Sequence, residues 1–379
     1  MLRSTSLIGV SVCALLALVG SASASVTFQL VKIIDTAALG GQRPGSVAAR
    51  GNHLYFGGLF GGARLHHVTD PMGAANLSSV FGGINNAATN GGLGSAGGTT
   101  NGYTNMHTDG RTLVASTENG GGTRDVLQSY SFGTTNLNFG ANSGPASLNT
   151  QTGRLDGAAV DPVTGKIMTV GFGGDAQNFY DPATGAAVSV PAANILFFPG
   201  VGTGWKDVAY DQETGDLYLR SVGGIARGRR VADGEFQTLT GGAGVQTIAD
   251  NFDDSRSVIN VEFIPASAAG QDIVIGNGRG FGGTTFAEKI RVYDSTPPLL
   301  GNNAIDTLVA TTFVGLDGVT PFSTTSADSG IYDFSWDPAN RVLWVSDFSA
   351  QAIYGFAVPA PSAGMLLAGA GLLAARRRR

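Results

Sequence analysis

The chain has 379 residues, with 58 glycines, one cysteine, and 28 acidic side chains against 23 lysines and arginines, a net charge of −5. An acidic surface repels phosphate backbones, so the balance argues against a nucleic-acid partner. A single cysteine excludes a disulfide framework and a cysteine-ligated metal site.

At the start, Arg3 precedes an apolar stretch over residues 7–19, and Ala22-Ser23-Ala24 supplies a small-x-small cleavage site. This pattern predicts a secretory signal peptide over residues 1–24, with the mature chain beginning near Ser25. Cys13 lies inside the apolar stretch and would leave with it.

Residues 25–358 read as one repetitive β-domain. An apolar strand over residues 27–34 comes first, followed by six units whose inner strands start at Ser46, Asn105, Asp156, Asp207, Asn260 and Asp333. The clearest units carry Asp161-Pro162-Val163-Thr164-Gly165, Asp211-Gln212-Glu213-Thr214-Gly215 and Asp337-Pro338-Ala339-Asn340 between two apolar strands. Asp suits the first turn position because its carboxylate accepts backbone N–H groups, Pro presets the next φ, and Gly relieves the tight exit. A third strand follows in each unit, and weaker fourth strands are expected over residues 186–190 and 307–313. Four short antiparallel strands in a recurring unit is the arithmetic of a β-propeller blade. The expected fold is all-β, a propeller of six blades with seven as the alternative. The last unit stops after its third strand, so the N-terminal strand is expected to complete that blade and remove an exposed sheet edge.

The turns and repeat layout resemble the NHL and YVTN-type propellers of exported bacterial proteins, a likeness that implies blades rather than a chemistry. The end of the chain is similar to a PEP-CTERM sorting tail. Val358-Pro359-Ala360-Pro361-Ser362 leads into small and apolar residues 363–375, and Arg376 to Arg379 close the sequence. Ala360 stands where the family's tripeptide has glutamate. The resemblance implies recognition of residues 359–379 by an exosortase-type processing enzyme, transient membrane association through the tail, and an envelope or extracellular location. The terminal arginines act as a basic stop on the cytoplasmic side. Without the signal and the tail the net charge falls to about −10.

No familiar catalytic signature occurs: the sequence contains no G-x-S-x-G elbow, zinc helix or Walker loop. His66 and His67 are adjacent on an expected strand, so they face opposite ways and do not easily share a metal. The inner-strand starts are the better candidates. Asp156, Asp207, Asn260 and Asp333 would converge at one mouth of the channel, an oxygen-rich ring suited to calcium. The alternative is that each side chain binds backbone groups of its own turn or of the next blade. Two positions further on, His107 and Glu262 interrupt a run of small residues and form a candidate acid–base or metal-ligating pair. The leading function is an exported, surface-associated propeller that binds a glycan, an envelope component or an ion. The rival is a secreted metal-dependent hydrolase or lactonase with its site at the channel.

Overall fold

The computed structural model describes residues 25–39, 43–58, 64–81, 100–119, 126–131, 138–139, 154–172, 178–181, 187–188, 205–221, 224–232, 235–238, 260–277, 286, 290–296, 308–324 and 330–358. The expected signal peptide and sorting tail lie outside them. Strand β1 (Val26–Asp35) comes first, and its even positions Val26, Phe28, Leu30 and Ile34 are buried, as a two-residue period dictates.

Four sheets follow the chain in simple antiparallel order. They are β2 (Pro44–Arg50) to β5 through β3 (His53–Gly58), β4 (Leu65–Thr69) and Asn76–Phe81; β6 (Thr100–Thr108), β7 (Thr112–Asn119), β8 (Val126–Ser131) and β9 (Asn138–Phe139); β10 (Arg154–Val160), β11 (Ile167–Phe172), β12 (Asn178–Tyr180) and β13 (Ala187–Val188); and β14 (Trp205–Tyr210), β15 (Leu217–Ser221), β16 (Gly224–Ala232) and β17 (Glu235–Thr238). The fifth sheet has β18 (Val261–Ile264), β19 (Ile273–Asn277) and β20 (Ile290–Asp294), with the short helix α1 (Ala266–Ala269) in place of the Asp-initiated turn.

The sixth sheet departs from this plan. Its strands β22 (Ile331–Asp337), β23 (Val342–Asp347) and β24 (Ala352–Ala357) are joined by β1, which runs antiparallel to β24. A further strand, β21 (Thr311–Val314), then pairs with β1 in parallel, through Val26↔Thr311 to Gln29↔Val314. Residues 307–313 were expected to be the fourth strand of the fifth unit, and that expectation is corrected. Among the described residues Leu308 bridges to Tyr293 of β20 and Val309 donates its N–H to the Val292 carbonyl at 2.9 Å, after which the chain crosses to the sixth sheet. Burial explains the crossing: Phe313 stacks on Phe28 with ring centroids 4.7 Å apart, in an aromatic cluster with Phe286 and Phe356.

The core sits between sheets. Six clusters of buried apolar side chains each draw on two neighbouring sheets. One joins Val342, Trp344 and Ile353 of the sixth sheet to Val47, Leu54 and Phe56 of the first. The inner strands β2, β6, β10, β14, β18 and β22 each pack on the next, and β22 packs on β2.

Candidate functional site

The inner-strand starts do come together. Asn105 donates its amide N–H to Asp207 Oδ1 at 2.6 Å, although the third sheet lies between their two sheets in sequence, and Asn260 donates to Asp333 Oδ1. These strands approach tightly. A Cβ on Gly157 would lie 2.5 Å from the Cα of Asp207 and 2.9 Å from the carbonyl oxygen of Lys206, so only glycine fits there. Replacing Gly157 with Ala forces the two inner strands apart. It is expected to lower stability by about 1–3 kcal/mol in a denaturant melt, the usual penalty of overpacking.

The remaining oxygens stitch one sheet to the next. Asp207 Oδ2 accepts the backbone N–H of Val261 at 2.7 Å, and Asp333 Oδ2 that of Val47 at 2.9 Å. Asn105 Oδ1 accepts from Ala158 at 3.0 Å. His107 and Glu262, two residues further along their strands, do the same. His107 Nδ1 accepts the Val160 N–H at 3.0 Å, and Glu262 Oε2 accepts that of Trp336 at 2.9 Å while Oε1 takes Phe263 at 2.9 Å. Among the described residues no hydrogen bond joins His107 to Glu262. The side chain of Asp156 lies outside the described residues. Ser46, at the same position of the first sheet, has its hydroxyl buried without a hydrogen-bond partner among the described residues.

Burial sets the electrostatics. It drives the Asp207 carboxyl well above the usual carboxylate range, with the Asp333 charge next and Glu262 also contributing, against the N–H groups of Val261 and Val208. Asp333 is raised for the same first reason, although Val47, Asn260 and Phe334 donate to it. Glu262 is pushed up to about 7 by burial, opposed by its bonds from Trp336 and Phe263. His107 is pushed down to about 4 by burial, with Asp109 opposing and Arg50 adding to the fall. Three carboxylates thus crowd one region while each is held by N–H donors. Among the described residues no group of three or more His, Cys, Asp or Glu side chains is arranged to hold a metal ion.

Sequence reasoning missed that the stitching continues to the fifth inner-strand position. Ser335 Oγ accepts the N–H of Ala49 at 2.9 Å, and both oxygens of Asp337 accept that of Gly51, at 3.0 and 3.1 Å. Asp337 reads in the sequence as a turn former, and it is one, capping Ala339 and binding the Asn340 amide. The signal for its second role was its alternation with Asp333 and Ser335 on one face of the strand.

Separate, almost wholly antiparallel sheets packed face to face through shared apolar seams, with inner strands converging, define an all-β protein of β-propeller architecture. No protein-family model matches the chain, and no curated protein matches its sequence. Among solved structures it is similar to an auxiliary nutrient binding protein from Bacteroides thetaiotaomicron, with 12% identity, 83% of this chain and 68% of that chain covered, and a TM-score of 0.49. It is also similar to the Cps50 (Swd1) β-propeller domain of Myceliophteria thermophila, with 10% identity, coverage of 83% and 82%, and a TM-score of 0.43. A third is the major Malassezia sympodialis allergen Mala s 1, with 11% identity, coverage of 83% and 93%, and a TM-score of 0.47. At such identities the likeness concerns the fold alone.

Proposed function

We propose that this chain is an exported, surface-associated six-bladed propeller, closed by β1, that binds a glycan, an envelope component or an ion and carries no catalytic centre in its channel. One observation carries the reading. The polar side chains that would form a channel active site, Asn105, His107, Asp207, Asn260, Glu262 and Asp333, are engaged with one another or with backbone N–H groups along the seams. Groups so engaged hold blades in register and are poorly placed to move protons for a substrate. The seam between the sixth and first sheets supports ring closure. Export and tail processing by an exosortase-type enzyme rest on residues 1–24 and 359–379 of the sequence. No helix among the described residues is long and apolar enough to cross a membrane.

A second reading, a channel hydrolase or lactonase using calcium or another cation, is favoured by one feature. Asp207, Glu262 and Asp333 raise one another's proton affinity, a repulsion that a nearby cation would relieve, although among the described residues they are not arranged as a metal-holding group. The decisive experiment pairs thermal melts in EDTA and in calcium with a screen against lactones, phosphoesters and a glycan array. Retention of a glycan with no turnover is the expected result. Turnover abolished by EDTA, restored by calcium and lost in Glu262→Gln would replace the binding reading with the enzymatic one.

A further inference from the structure

His53 and His67 occupy neighbouring antiparallel strands, β3 and β4, where the register Tyr55↔His67 and His53↔Thr69 sets them on a diagonal of one sheet face. Their rings meet nitrogen to nitrogen, His53 Nδ1 to His67 Nε2, at 2.9 Å. His67 is held in place from its other side by Tyr55, whose ring stacks on it with centroids 4.5 Å apart and planes 10° from parallel. Tyr55 itself is 1% exposed and belongs to the core between the first and second sheets, so the platform under His67 is rigid. His53 is exposed at the rim of that sheet.

The chain has four histidines. His66 is buried and stacked on Phe56, and His107 is committed through Nδ1 to the Val160 N–H. His53 and His67 are the histidines that meet side chain to side chain at the rim of the first sheet. Neither uses the channel groups on which the binding proposal rests.

The geometry points to a two-imidazole surface site for a divalent transition metal of tetragonal preference, copper(II) foremost, formed by His53 Nδ1 and His67 Nε2. Two metal–nitrogen bonds of about 2.0–2.1 Å at a right angle place their nitrogens about 2.9 Å apart, whereas a tetrahedral angle asks for about 3.3–3.4 Å. The observed separation matches the right angle and is equally an ordinary hydrogen-bond length. In the resting pair the nitrogens share one hydrogen and the rings lie 26° from parallel with centroids 5.2 Å apart, so the exposed His53 ring must rotate out of the stack to aim both lone pairs at a common point. His53 then carries its hydrogen on Nε2, so both imidazoles stay neutral and water fills the remaining coordination positions. Imidazole nitrogen suits copper, and copper(II) heads the affinity order for such donors.

Copper(II) titration of the full-length chain, followed by calorimetry and electron paramagnetic resonance, tests the site. The expected result is about one tightly bound ion per chain with a tetragonal spectrum split by two imidazole nitrogens. His53→Ala and His67→Ala should each weaken that binding by about tenfold or more, since even outer-shell partners of a metal contribute that much. Copper held by the amino terminus is common to all variants and drops out of the comparison. Unchanged stoichiometry and affinity in the His53→Ala/His67→Ala double variant would overturn the assignment. Should the loss of His67 disturb folding, His53→Ala decides alone, because its exposed ring supports no core. Wild-type affinity in that variant, checked for an unchanged melt, would equally overturn it.

Discussion

Deletion of residues 27–34 should leave no folded monomer, an effect out of proportion to the few residues removed. Strand β1 is an interior strand, hydrogen-bonded to β24 on one side and β21 on the other. Its side chains Val26, Phe28, Leu30 and Ile34 are between 0% and 4% exposed. Burying a large apolar side chain stabilises by about 1.5–3 kcal/mol, so the three that the deletion removes, Phe28, Leu30 and Ile34, contribute about 4.5–9 kcal/mol. A whole domain is stable by only about 5–15 kcal/mol. Loss of the strand also uncovers β24, and an uncovered edge recruits other chains. Size-exclusion chromatography of the deletion variant should show aggregate in place of monomer. Phe28→Ala, which empties the ring stack on Phe313, should lower stability by about 3–5 kcal/mol in a denaturant melt. A monomeric deletion variant that melts at the wild-type temperature would show that β1 is dispensable.

The inner and middle strands were legible because their signals are local. Asp161 and Asp211 each cap their own turns: Asp161 Oδ1 accepts the Val163 N–H at 2.9 Å, and Asp211 Oδ1 that of Glu213 at 2.8 Å. The closing glycines, Gly165 at φ +70° and Gly215 at φ +76°, adopt the left-handed conformation their positions require. The outer strands β5, β9 and β17 were not foreseen. Their sequences, Asn76–Phe81 and Glu235–Thr238 among them, show no clean apolar alternation. The path of β21 was illegible for another reason. Thr311–Val314 pairs with a strand at the far end of the sequence, and nothing local distinguishes that from pairing with β20.

The candidate site shows a subtler limit. Polar residues at the inner-strand starts were visible as a set, but an oxygen that binds a cation and one that accepts a neighbour's N–H look alike in sequence. Only the distances from Asp207 to Val261 and from Asp333 to Val47 show the latter use. The His53–His67 contact likewise depends on register between β3 and β4, which composition does not supply.

Glu262 should give the protein a stability that falls as pH rises through the weakly acidic range. Its ordinary value is 4.5 and burial lifts it to about 7 in the folded state. A group raised on folding holds its proton more tightly in the native than in the unfolded chain. Its favourable contribution is therefore complete below pH 4.5 and is lost progressively up to about pH 7. At 1.36 kcal/mol per pH unit, the loss amounts to about 3 kcal/mol. Asp207 and Asp333, raised by burial as well, act in the same direction. The histidines oppose them: His66, His67 and His107 are each lowered from 6.5 to about 4, chiefly by burial. Their contribution grows as pH rises between those values and is constant above, which would mask the carboxylates in a wild-type melt alone. Comparison with Glu262→Gln removes the mask, because the histidines titrate identically in both proteins. Gln keeps one acceptor for the Trp336 or Phe263 N–H and sets an amide N–H against the other, much as the protonated acid does. The variant should thus lie near or below the wild type at pH 4.5 and gain on it by about 3 kcal/mol by pH 7, with no further change above. Urea melts of both proteins at half-unit intervals from pH 4.5 to 8.5 would measure the gap. A gap that stays constant across that range would mean that Glu262 is ionised throughout, with its two N–H donors outweighing its burial.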